Sequence, residues 1–178
     1  RKTENPDLPR LLNEIGQIST SHALPTAKYH DRIRNRIITL LNDTESTLYT
    51  KESHPLPNLL KRNVVFEIDG LRTTTQNFLM EIMLAWIYEY RKAQNHRGSE
   101  LRHVNIIDES KTLFSRYKEQ QHESGLPIID KITARMREFG ESLVAADQEA
   151  SKLTDSIKAN TKTKVLLATG DDKEFQAI

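Results

Sequence analysis

The chain has 178 residues, with 26 Lys and Arg against 25 Asp and Glu, a net charge of +1 that excludes nucleic-acid binding by bulk charge. Hydrophobic residues make up 37% and charged residues 29%, the profile of a globular domain of modest size and not of a disordered chain. Cysteine is absent, which excludes a disulfide framework, a thiolate metal site and a cysteine nucleophile.

Residues 1–62 read as a helical segment. Leu8, Leu11, Leu12 and Ile15 form an apolar stripe that Gly16 is expected to end. Tyr29, Ile33, Ile37, Leu40, Leu41 and Leu48 recur at three- and four-residue spacing, an amphipathic helix whose other face carries Lys28, Asp31, Arg32, Arg34 and Arg36. The prolines of Ser53-His54-Pro55-Leu56-Pro57-Asn58 predict a loop.

From residue 63 to 178 strands alternate with helices. Val64-Val65-Phe66-Glu67-Ile68 is a β-branched run closed by the turn signal Asp69-Gly70. Phe78, Ile82, Trp86 and Tyr90, with Leu79, Met83 and Ile87 beside them, predict a long helix with a wide buried face. Arg91, Lys92, Arg97 and Arg102 follow as a basic cluster, read as a solvated loop or a DNA-facing one. Val104-Asn105-Ile106-Ile107 is the second strand. Ile128, Ile129, Ile132, Met136 and Phe139 mark a helix with Pro127 at its start and Gly140 past its end. Ser142-Leu143-Val144-Ala145-Ala146 is the third strand, Leu153 and Ile157 sit on a short helix ending at Asn160, and Val165-Leu166-Leu167-Ala168 is the fourth strand. A further helix begins after Gly170. This alternation predicts parallel βαβ units with right-handed crossovers and ligands at the carboxyl ends of the strands.

The strand ends therefore hold the candidate chemistry. Asp108-Glu109 follows the second strand directly. One carboxylate at a strand tip suits the water shell of Mg²⁺, and its neighbour can orient and deprotonate an attacking water. Gln148 stands at the tip of the next strand, where an amide can sense a γ-phosphate or simply cap the following helix.

Three stretches resemble the C-terminal half of a HerA/FtsK-type ATPase, a layout shared by the type IV secretion ATPases. They are residues 64–71, 101–110 and 137–148, in that order and spacing. The resemblance covers about residues 60 to 178 and implies a RecA-like parallel sheet of about four strands. It implies that Asp108-Glu109 is the Walker B motif, with Asp108 the Mg²⁺-associated acid, Glu109 the catalytic base and Gln148 the γ-phosphate sensor. Arg137, before Gly140, matches a candidate arginine finger that reaches a neighbouring subunit's ATP, with Arg135 as second choice. Asp147 stands where the family carries Ser or Thr, and a carboxylate beside phosphate needs a cation to pair it. Ser110 takes the place of a small apolar residue.

No segment matches G-x-x-x-x-G-K-[ST], so the backbone cradle for ATP phosphates is missing from this sequence. With a start at Arg1 and a stop after Ile178, the expectation is a fragment of a hexameric ATP-hydrolysing motor for DNA translocation, DNA processing or macromolecular transfer. The alternative is a non-enzymatic α/β interaction module or a degenerate relative. No stretch reaches the ~18 apolar residues of a membrane helix, since Glu81 and Glu89 interrupt the longest one, and the expected location is the cytoplasm. The six histidines lack metal-ligand spacing.

Overall fold

The computed structural model describes residues 8–18, 25–44, 55–98, 100–117, 128–167 and 171–177. In chain order the elements are α1 (Leu8–Gln17), α2 (Pro25–Thr44), α3 (Leu56–Leu59), α4 (Thr73–Gln94), β1 (His103–Ile107), α5 (Ile128–Met136), β2 (Glu141–Ala145), α6 (Asp155–Asn160) and α7 (Asp172–Gln176). Single 3₁₀ turns lie at Ser110–Thr112, Arg137–Phe139 and Ala150–Lys152. They divide into two units, one holding α1, α2 and residues 65–75, the other residues 56–64 and everything from Gln76 onward.

In the first unit α1 packs along α2. The stripe predicted from Tyr29 to Leu41 is buried only in its later half. Ile37 and Leu40 are buried, whereas Tyr29 and Ile33 are exposed. His30 Nε2 lies 2.7 Å from the Ile15 carbonyl and ties the two helices. Gly16 does not stop α1, which continues to Gln17. Leu48 lies outside the described residues.

The second unit is mixed α/β, and its sheet is parallel as predicted. Its core gathers Leu84, Ile87 and Tyr88 from α4, Leu113 and Phe114 from the loop after β1, Ile129 and Met136 from α5, and Phe139, Leu153 and Ile157. Tyr88 and Phe139 meet edge to face with centroids 5.8 Å apart, the arrangement that ring quadrupoles favour. β1 and β2 pair in register from His103 with Glu141 to Ile107 with Ala145. Side chains alternate along a strand, so Val104, Ile106 and Val144 share one face. That face is open, with Ile106 73% exposed.

The sheet has two strands among the described residues, not four. Residues 64–68 and 165–167 join no ladder. Val65 and Leu167 are 84% and 82% exposed. A β-branched run supplies the propensity, but a strand exists only when a neighbouring strand takes its N–H and C=O groups, and these runs have no ladder partner among the described residues. Ala168 and Gly170 lie outside the described residues.

Two features fix the entry to β2. Gly140 is left-handed at φ 80°, and a Cβ there would collide with the Glu100 carbonyl oxygen, so only glycine turns the chain here without strain. Glu141 then buries its carboxylate completely. Arg91 Nε donates to it at 2.6 Å, Asn105 Nδ2 at 2.9 Å, and His103 Nδ1 lies 2.9 Å away. Arg91, counted in sequence with a basic surface cluster, is instead turned inward from the last turn of α4. Removing one partner of a buried ion pair leaves an uncompensated charge. Arg91→Met is therefore expected to destabilise the unit by about 3 kcal/mol, read from the midpoint of chemical denaturation.

Candidate functional site

The parallel ladder places the ends of β1 and β2 side by side. Asp108-Glu109 leaves the first and Asp147-Gln148 follows the second, so the strand-tip residues of the sequence share one edge of the sheet. The pairing continues past the strands. Ala146 N–H donates to the Ile107 carbonyl at 2.9 Å and Ser110 N–H to the Ala146 carbonyl at 3.0 Å.

Between those two bonds the chain makes a tight turn. Glu109 adopts φ 47°, ψ 47°, a left-handed conformation that is uncommon for a residue with a side chain. Its own N–H donates to Asp108 Oδ1 at 2.9 Å, which holds the turn. Non-glycine residues in this region cluster at functional sites, where surrounding contacts maintain the strain. Both Asp108 and Glu109 are exposed. Asp108 keeps Oδ2 outside that turn bond. A single exposed carboxylate of this kind fits a hydrated Mg²⁺, which keeps most of its waters and needs no all-protein cage. Among the described residues no group of three or more His, Asp or Glu side chains converges as a metal site. The phosphate loop that would cradle ATP is likewise missing from the sequence.

Across from this turn the Asp147 side chain is buried, 2% exposed. Its Oδ2 accepts the Lys111 N–H at 2.6 Å and its Oδ1 accepts the Glu149 N–H at 2.8 Å. Gln148 stands inside the turn this second bond closes and is exposed. The Lys111 ammonium lies 3.9 Å from Asp147 Oδ1 and 2.6 Å from Glu149 Oε2. Asp147, odd beside phosphate on sequence grounds, thus has its cation. Sequence reasoning did not single out Lys111. The signal was present as a lone cation two residues beyond an acidic strand tip, opposite a second acidic tip.

These contacts set the charge states. Hydrogen bonds from Lys111 and then Lys152 pull the Glu149 carboxyl from its ordinary 4.5 down to about 2. Its bond to Glu149 raises the Lys111 ammonium. A carboxylate with a depressed folded pKa contributes stability that is present above its unfolded value and lost as pH falls through the folded one. The denaturation midpoint is therefore expected to fall between about pH 4.5 and pH 2. Lys111→Met should flatten that fall; an unchanged slope would show that the pair contributes nothing.

Arg137 is not brought to this edge. It opens the 3₁₀ turn before Gly140, at the opposite end of β2, roughly 20 Å away along the strand direction. Its side chain is exposed and makes no ion pair among the described residues. Arg135, on the last turn of α5, is exposed as well. Of the basic cluster at and beyond the end of α4, Arg97 pairs with Glu138 at 3.6 Å and lies over the Phe139 ring, and Lys92, in the last turn of α4, pairs with Glu89.

The chain matches no known family model, and no curated protein matches it. Among the described residues no helix is long and apolar enough to cross a membrane.

Proposed function

We propose that this chain is the Walker B half of a RecA-like ATPase of the HerA/FtsK type. The complete protein would form a hexameric ring in the cytoplasm that hydrolyses ATP to translocate or process DNA, or to drive macromolecular transfer. The observation that carries this reading is the shared sheet edge. An acidic pair, with its second carboxylate on a strained left-handed residue, stands beside a strand tip that presents a glutamine. In this reading Asp108 holds the water shell of Mg²⁺, Glu109 takes the proton from the attacking water, and Gln148 senses the γ-phosphate. Arg137 serves the site of the next subunit.

The open sheet supports the same reading. Parallel sheets occur almost only with both faces covered, yet Val104, Ile106 and Val144 are exposed. Residues 64–68 and 165–167 are apolar runs that join no ladder. A strand carrying the phosphate loop, with its helix, would give these runs and this face something to pair with, and would bring this chain's own strands to about four beside it. The same exposed face also favours a second reading, an α/β interaction module without activity. The coding sequence before Arg1 separates the two. A strand followed by G-x-x-x-x-G-K-[ST] supports the motor, and a reading frame that opens at Arg1 supports the module.

A biochemical check accompanies it. The purified 178-residue chain is expected to show no ATP turnover, because it has no phosphate loop. Turnover that disappears on Glu109→Gln would overturn that expectation.

A further inference from the structure

We infer that Asp147, with Lys111, is a positioning pair that anchors the candidate base and the candidate sensor to one point. The inference rests on the ATPase reading of Asp108-Glu109 and Gln148, and adds to it how those residues are held.

Asp147 reaches both loops at once. One oxygen takes the amide two residues after Glu109 and the other takes the amide one residue after Gln148. Ser110, between Glu109 and Lys111, is fully buried, and its amide is tied to Ala146. The backbone on the far side of Glu109 is therefore fixed by two consecutive amides, both bound to the β2 side. Gln148 lies between Asp147 and the Glu149 amide that Asp147 accepts. A Ser or Thr hydroxyl, the residue the resembled family carries here, is shorter and offers a single oxygen, whereas these two amides are held by two separate carboxylate oxygens. The Lys111 ammonium balances the carboxylate's charge while reaching on to Glu149. Hydrogen bonds to an ionised acceptor are about twice as strong as neutral ones, so the anchor is stiff. A displacement of the Gln148 turn is then carried to the Glu109 turn through the Asp147 side chain beside the Ser110–Ala146 bond, not through the length of the sheet.

The test uses the full-length ATPase and steady-state hydrolysis of Mg-ATP. Misplacing a reacting group by about 1 Å costs about 10²-fold, so Asp147→Ala is expected to lower kcat by about 10- to 100-fold. KM and nucleotide affinity should stay within about twofold, because ground-state binding is not what the pair supports. Asp147→Asn is nearly isosteric and keeps one acceptor, which guards against a folding failure. It should lose part of the rate, as should Lys111→Met, whose side chain lies at the surface of the pair.

The readout that a structural role would not move is the double variant. In a Glu109→Gln background Asp147→Asn should cost nothing further, since it acts through Glu109. Equal costs in both backgrounds would overturn the proposal. So would an Asp147→Asn enzyme with wild-type kcat beside an inactive Glu109→Gln enzyme, and in that case the ATPase reading stands. Absence of any hydrolysis that depends on Glu109 removes the ATPase reading itself and leaves Asp147 as a cap on two turns, which also overturns the pair's assigned role.

Discussion

If the proposed ATPase reading is right, Arg137→Ala in the ring it describes is expected to lower hydrolysis by about 10³-fold or more while each subunit still binds ATP. Arg137 opens a 3₁₀ turn whose last residue, Phe139, is buried in the core, and its carbonyl accepts the Gly140 N–H at 3.1 Å. The backbone is thus rigid, while the guanidinium is exposed and makes no ion pair among the described residues. A fixed base under a permanently charged fork suits stabilisation of charge that spreads over transferring phosphoryl oxygens. Its place at the far end of β2 from Glu109 means that it serves another chain's nucleotide or none. Arg137→Lys should recover little, because an ammonium offers a point charge and no fork. Mixed rings decide the matter. Arg137→Ala subunits combined with Glu109→Gln subunits should regain activity wherever an intact Glu109 faces an intact Arg137. If mixed rings form and regain nothing, Arg135 is the next arginine to replace.

In the same proposed ATPase, Glu109→Gln is expected to reduce turnover by about 10²-fold or more with ATP binding nearly intact. The amide keeps the shape of the carboxylate but takes no proton. The left-handed backbone does not depend on this side chain, because the turn is held by the Glu109 N–H on Asp108 and by the Ser110 and Lys111 amides on the β2 side. The substitution therefore removes a proton acceptor without releasing the turn. Near-normal hydrolysis in this variant would reduce Glu109 to a turn residue.

The two strands that pair were legible because each is a short, largely apolar run that stops at a polar tip, β-branched in the first and Leu143-Val144-Ala145 in the second, and the helix between them carries its own start and stop signals. The strand count was not. Residues 64–68 have much the same β-branched composition as residues 104–107, yet the first run stays outside any ladder and the second forms one. Composition reports what a segment tolerates, and pairing depends on what lies beside it in space. The site divides in the same way. Asp108, Glu109 and Gln148 stood out because strand tips are where α/β sheets bind ligands. The left-handed turn at Glu109 had no sequence signature, since it is imposed by contacts from β2. Arg91 looked like one basic residue among four, and its partner is a glutamate 50 positions away. Residues linked across such separations are found by the fold, not by local pattern.

The pairing of β1 with β2 also sets a timetable for synthesis. His103 and Glu141 are partners 38 residues apart, and the chain emerges from the ribosome at ~5–20 residues per second. The first strand thus waits roughly 2–8 s for the second, with Val104, Ile106 and Ile107 unsatisfied in between. Until Glu141 appears, Arg91 and His103 have no carboxylate to gather around, and the left-handed turn at Glu109 has no β2 side to lean on. The stretch that carries the candidate chemistry therefore has its full set of contacts only once Asp147 has been made.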